Sequence, residues 1–230
     1  MMQFKQLLET FFKYSKEVFV IFIGVSISFL VDRCKNDFQD KESERQLLQN
    51  LRFDLQKDSS QLLAQVQFHK EGQLHLQKLY KNIDHIETIE DSVYIFVLGM
   101  MRSTAFTPLN ITFEEIKQNG LSKILKNSAL KRKVFELYCN DYEDLKIMNL
   151  KIGDHVDKIT YPYLFQKLPF MSDNKLSKAQ FAQVKTLCAE DAFKILLRSA
   201  VKDGKYNIEF YDQASKNVTN LLEMLRLELK

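Results

Sequence analysis

The sequence is short of the residues that make turns. It holds 6 Gly and 3 Pro in 230 residues, where ordinary usage would give roughly 28 of them together. A sandwich, barrel or other array of short strands needs a turn former about every 8–12 residues, so the scarcity argues against those architectures. The glycines (Gly24, Gly72, Gly99, Gly120, Gly153, Gly204) lie too far apart for a GxGxxG dinucleotide loop, a Walker phosphate loop or a GxSxG nucleophile elbow. The 3 cysteines (Cys34, Cys139, Cys188) are odd in number and share no CxxC spacing, which excludes a disulfide framework and a zinc ribbon. They read as buried or idle thiols, with a Cys139–Cys188 pair left open for an oxidising compartment. A net charge of only +3 gives no support for wholesale nucleic-acid binding.

Histidine is equally sparse. His69, His75, His85 and His155 form no HExxH, HxH or i,i+4 pair, so no metal set is expected. Asp84-His85 with Glu87, and His155 with Asp154 and Asp157, are the best local clusters. Their adjacent members point to different helix faces and read as solvated surface. Nothing assembles a Ser-His-Asp or Cys-His arrangement. No catalytic residue and no cofactor is expected.

What is present near the N-terminus is Val18 to Val31, 14 residues without a charge. A span needs about 20 apolar residues, and a run of 10–14 also suits a core helix or a signal h-region. Upstream, Phe11, Phe12 and Tyr14 extend it, with Lys13 and Lys16 able to snorkel. Downstream, Asp32, Arg33, Lys35 and Asp37 end it abruptly, and no small-x-small cleavage site follows. A retained signal anchor is the preferred assignment, over a cleaved signal or a buried helix, with the span at about 17–33. Residues 3–16 place Phe4, Leu7, Leu8, Phe11 and Phe12 on one stripe, as in an interfacial helix. The short basic N-terminus makes a cytoplasmic N-terminus the default. This places the helical domain of a single-pass protein outside the cytoplasm. Within the span, Gly24, Ser26 and Ser28 are candidate membrane-helix contacts, Gly24 and Ser28 forming a small-xxx-small pair. The alternative for Ser28 is a hydroxyl returned to its own backbone. Glu17 suits the interfacial edge.

Residues 35–230 read as one helical-bundle domain. From Lys41 to about Glu90, Leu48, Leu51, Leu55, Leu62, Leu76, Leu79, Ile83 and Ile86 keep helical spacing. Asp58, Gln65, His69 and Gly72 interrupt that seam with polar or small residues, which argues against a long coiled-coil dimer and for a helix bent near Gly72. Ser92 to Phe106 is a core helix interrupted by Arg102 and ended by Pro108 and Asn110. Thr112 and Glu115 have capping-box spacing, and the helix they open stops at Asn119-Gly120. Asn127 or Ser128 caps the next, which runs toward Tyr161. Pro162 and Pro169 bracket a turn. A helix from about Ser177 to Val201 and a last one after Asp203-Gly204 complete the bundle.

These residues resemble a domain-of-unknown-function family of single-span bacterial membrane proteins common among Bacteroidota. Glu17 and Gly24 have the family's spacing ahead of a long charged helix. Thr112-Phe113-Glu114-Glu115-Ile116-Lys117-Gln118-Asn119-Gly120, Ile124-Leu125-Lys126-Asn127 and Leu130-Lys131 fit its central motif. The closing Leu221-Leu222 and Leu227-Glu228-Leu229 are also similar. Where members carry an Asn-rich segment with a Trp, this chain has Asp32-Arg33-Cys34-Lys35 and no Trp. The resemblance implies an integral-membrane helical protein of unknown activity.

Lys117, Lys123, Lys126, Lys131, Arg132 and Lys133 form a run of basic residues without an acid. They are the candidate patch for anionic lipid or phosphate, against a plain solvated face. The expected function is a non-enzymatic, membrane-anchored interaction or scaffold module. Its partners are the lipid bilayer and a protein partner or a second copy of the chain, without nucleic acid. The alternative is a membrane-anchored sensory or ligand-binding helical module, with Tyr138, Tyr142, Tyr161 and Tyr163 lining a pocket. Such a module would need a separate output partner.

Overall fold

A computed structural model describes residues 2–118, 125–169 and 176–230, apart from the side chains of residues 2–18, Ile21, Cys34, Asn36 and Asp37. The regular structure among the described residues is entirely helical, with no strand among them. They form α1 (Met2–Lys81), α2 (Glu90–Leu98), α3 (Ile111–Gln118), α4 (Ser128–Glu136), α5 (Tyr142–His155), α6 (Tyr161–Lys167), α7 (Lys178–Ala189) and α8 (Asp191–Glu228). The chain divides into two compact units, Met1–Gln49 and Asn50–Lys230.

In the first unit, Phe19, Val20, Phe22, Ile23, Val25, Ile27, Phe29, Leu30 and Val31 are all exposed. Consecutive positions on a helix are about 100° apart, so this apolar surface runs around the whole circumference. Among the described residues, however, no helix is long and apolar enough to cross a membrane. The physical shortfall is length: 14 helical residues rise about 21 Å, against a hydrocarbon core of about 30 Å. The transmembrane helix expected at about 17–33 is therefore unsupported by the described residues.

The second unit is a bundle built on periodic apolar faces. Leu51, Leu55, Leu62, Leu76 and Leu79 of α1 are buried, as are Tyr211, Ala214, Val218, Leu221 and Leu225 of α8. Leu76, Leu79, Val93, Val97, Leu164 and Phe193 belong to one continuous apolar cluster that also holds Cys188. Cys139 and Cys188 are free thiols, and burial pushes the Cys188 thiol up to about 12.

Local chemistry sets most helix ends. The Asn127 side chain accepts from the Ala129 and Leu130 amides, each at 3.1 Å, and starts α4. Ser177 and Gln180 form a reciprocal capping box at α7. The box expected at Thr112 is not made. Thr112 lies inside α3, and its hydroxyl donates instead to Asp54 Oδ2 at 2.6 Å. Gly72 lies within α1 without ending it, and Gly204 lies within α8, so Asp203-Gly204 separates no helices. The chain is also helical without a break over residues 128–167, with π-helical turns at Leu137–Asp141 and Val156–Thr160. Pro162 thus sits in a helix rather than at a turn. A proline ring crowds the carbonyl four residues earlier, here that of Lys158 inside the wider π turn. The stop expected at Asn119-Gly120 lies outside the described residues.

Candidate functional site

The polar interruptions of the α1 seam are where the second unit places its buried chemistry. Asp58 is fully buried and accepts from the Leu109 amide at 3.0 Å and the Tyr142 hydroxyl at 2.9 Å. The Tyr138 hydroxyl donates to the Leu109 carbonyl at 3.1 Å. Rings close the cluster: Phe113 stacks on Tyr138 at 4.3 Å, and Phe106 meets Tyr142 edge-on at 5.3 Å. Burial pushes the Asp58 carboxyl above the usual range, opposed by its two hydrogen bonds. Burial, and then the Asp58 charge, push the Tyr138 and Tyr142 phenols up as well. The result ties residues 102–110 and the first π turn to α1.

Farther along the same helix, the Thr104 hydroxyl donates to Gln65 Oε1 at 2.7 Å and lies 3.1 Å from His69 Nε2. With its one hydrogen given to Gln65, Thr104 can only accept from His69, which assigns the ring proton to Nε2. Asn207 Nδ2 is 3.3 Å from both ring nitrogens, so Nδ1 is its acceptor. The His69 and Tyr211 rings lie 4.9 Å apart, and Asn149 Nδ2 donates to the Tyr211 hydroxyl at 2.9 Å. Burial, reinforced by the nearby Arg102 charge, lowers the His69 pKa to about 4 and keeps the ring neutral near pH 7.

Beside this chain lies a cavity of about 60 Å³ between α1, the turn Gly99–Met101, the α5–π segment and α8. A water needs roughly 10–15 Å³, so a few waters or one small molecule fit. Gln73 Nε2 donates to the Val201 carbonyl at 2.9 Å. Since a carbonyl only accepts, the Gln73 orientation is fixed and Oε1 is left over. Gln73 Oε1, His155 Nε2 and Asn207 Oδ1 are buried without a hydrogen-bond partner, and all three residues line the cavity. Gly204 keeps the space beside Gln73 open, because a Cβ there would stand 2.3 Å from Gln73 Oε1. On another wall, the Arg102 guanidinium lies over the Phe68 ring, 4.0 Å from its centroid. A larger groove of about 880 Å³ runs over α3, the first π turn and α5, with Phe113, Lys117, Cys139, Lys146 and Leu150 in its walls.

The residues singled out in the sequence are distributed differently. Gly24 and Ser28 are exposed and Ser26 is half-buried. Nothing lies within 4 Å of a Cβ built on Gly24, and Ser28 returns its hydroxyl to the Gly24 carbonyl at 3.0 Å. In the basic run, Lys117 pairs with Glu114 at 3.5 Å, while Arg132 and Lys133 share Glu136 at 3.5 and 2.7 Å. Lys126 and Lys131 each make an interaction as well, and Lys123 lies outside the described residues. The patch is thus partly neutralised in place. Among the acidic clusters, Asp84 pairs with Lys194 at 2.8 Å, Glu87 with Lys185, and Asp154 with Lys158 at 2.8 Å. His155 departs from the solvated surface expected for it, since its Nε2 is buried. Among the described residues, no group of three or more His, Cys, Asp or Glu side chains is placed to hold a metal ion. Two of the four tyrosines meet: Tyr138 and Tyr142 touch edge-on at 5.2 Å and line the groove, whereas Tyr161 stacks on Phe165 and Tyr163 donates to Glu190 at 2.8 Å.

Gln73, Arg102 and Asn207 were not singled out by their sequence pattern as site residues. Two signals pointed toward them: the broken seam at Gln65, His69 and Gly72, and the lone Arg102 inside an apolar run. The geometry defines an all-helical bundle with a partly open cavity, mostly apolar in its lining, into which a few unpartnered polar atoms point. No family model matches the chain, and no curated protein or solved structure matches it.

Proposed function

We propose that this chain is a non-enzymatic helical protein held at a membrane by its 18–31 segment, with the bundle serving as an interaction or assembly module. The observation that carries it is the set of nine large apolar side chains described between Phe19 and Val31, exposed on every side of a helix. A helix apolar all round belongs in a large core or a bilayer, and patches of this extent are uncommon on free surfaces. The charge-free run is short for a full crossing. In the sequence, Phe11, Phe12 and Tyr14 extend the run, and lysines such as Lys13 and Lys16 are long enough to be tolerated there, which supplies the missing length in a single-pass arrangement. The proposed placement is a bacterial inner membrane with the bundle on the periplasmic side. The resemblance to single-span membrane proteins of unknown activity agrees with the anchor. The open groove over α3 and α5 is the face offered to a protein partner or a second copy.

The test is membrane extraction of the full chain, followed by sizing in mild detergent. The protein should stay with membranes through an alkaline carbonate wash, and Ile23→Lys with Ile27→Lys should release it. Release of the unaltered chain by the same wash ends the proposal. In detergent, a mass above that of one chain or a co-purifying partner supports the assembly role. A lone 27.1 kDa species counts against it.

A further inference from the structure

The cavity between α1 and α8 collects acceptors that have nothing to accept from. Four buried side-chain polar atoms among the described residues lack partners, and three of them belong to its lining. Gln73 and Asn207 are 7% and 3% exposed, so bulk water does not satisfy their carbonyl oxygens. Leaving such a group empty is costly, and native interiors rarely do so. Both oxygens require hydrogen-bond donors. Asp203, one helical turn before Asn207, adds a carboxylate to the same lining and takes a hydrogen bond from Ser199 at 3.1 Å. Two carbonyl oxygens and a carboxylate are the donor-seeking, negatively polarised set that an ammonium group fits.

Arg102 offers the opposite chemistry. It is an exposed residue at the cavity's open side; its guanidinium lies on Phe68, and among the described residues it has no carboxylate partner. It also comes near α1, since a Cβ on Gly72 would be 3.5 Å from its Nη1. A guanidinium presents a planar fork matched to a carboxylate. The cavity therefore pairs an ammonium-seeking wall with a carboxylate-seeking one. Its volume of about 60 Å³ limits what can join them.

We propose that this cavity binds a small zwitterion of the α-amino acid class, ammonium toward Gln73, Asn207 and Asp203, carboxylate toward Arg102. Short side chains, the size of hydrogen, methyl or hydroxymethyl, suit a space of about 60 Å³. His155 Nε2 adds a donor to the carboxylate when it carries the ring proton. Gly204 is required because any side chain there meets the oxygen that holds the ammonium. This site goes beyond the anchoring role and is independent of it.

Calorimetric titration of the full chain in detergent tests the assignment, with glycine, alanine and serine as ligands and methylammonium, acetate and leucine as controls. One or more of the three small amino acids should bind at millimolar concentration or below, and each control at least about tenfold more weakly. Arg102→Gln and Gly204→Ala should each weaken binding about tenfold or more, with the helical circular dichroism retained. Arg102→Lys keeps the charge and should recover part of the loss. No heat from any of the three amino acids, in a folded chain, means the cavity holds water alone and overturns the proposal. So does acetate binding as tightly as glycine, or binding indifferent to Arg102→Gln. None of these outcomes depends on whether the 18–31 segment holds the protein at a membrane.

Discussion

Two buried polar clusters hang from the same helix, four turns apart, and they are built to opposite rules. Around Asp58, both carboxylate oxygens are occupied, by the Leu109 amide and the Tyr142 hydroxyl, and aromatic rings seal the site. Around Gln73 and Asn207, one half of each amide is bonded and the other is left bare in a cavity. The first arrangement is what a bundle uses to fix a loop. A completed network rigidifies, whereas a partly satisfied one costs stability unless something else completes it. The difference separates a structural polar cluster from a receiving one without reference to sequence motifs.

Removing an occupied group should hurt most. Asp58→Ala strands two buried donors and should lower the unfolding free energy by about 3–5 kcal/mol in urea titrations. Gln73→Met deletes an oxygen that bonds to nothing together with one hydrogen bond to the Val201 carbonyl, and should cost about 1–2 kcal/mol. Equal losses at the two sites would erase the contrast.

Acid should act on the clusters with opposite signs. His69 titrates at about 4 in the folded chain, against 6.5 for an ordinary histidine. The unfolded chain therefore binds the extra proton between those values. His69's contribution is whole above about pH 6.5 and falls away as pH drops toward 4. Discounted for the partly exposed ring, the loss is about 1–2 kcal/mol. His69→Gln should flatten that part of the stability–pH curve. The raised carboxyl of Asp58 works the other way, its contribution declining as pH rises through its folded value. Stability curves of His69→Gln and Asp58→Asn should thus diverge from the unaltered chain in opposite directions.

The gentlest contrast uses two helical glycines. Gly204→Ala forces Gln73 to move and should cost about 1–2 kcal/mol, even after the gain in helix propensity. Gly153→Ala, with nothing within 4 Å of its Cβ, should raise stability by about 0.5–1 kcal/mol. Thermal melts of the two variants should straddle that of the unaltered chain.

Much of the bundle was legible in the residues. The all-helical class followed from scarce turn formers, and the seam from Leu51 to Leu79 is buried as spaced. Asn127 and Ser177 start helices because their side-chain oxygens reach free amides. Gly204 misled because a helix-ending glycine and a glycine making room for Gln73 look identical in one dimension. Pro162 misled because a π turn can accommodate what an α turn rejects. The cavity itself was not legible: His69 and Asn207 stand 138 positions apart. Only the polar gaps at Asp58, Gln65 and His69 hinted that α1 faced something other than leucine.

The free thiols give the fold a means of timing its own opening. Cys188 is 1% exposed, and with a pKa of about 12 holds almost no thiolate near neutrality. An alkylating reagent reaches it at the rate at which the apolar end of the bundle comes apart. Cys139 is half-buried in the wall of the groove and is open to labelling before any such event. Modification at these two described thiols therefore reports two clocks, one set by the reagent and one by the protein's breathing.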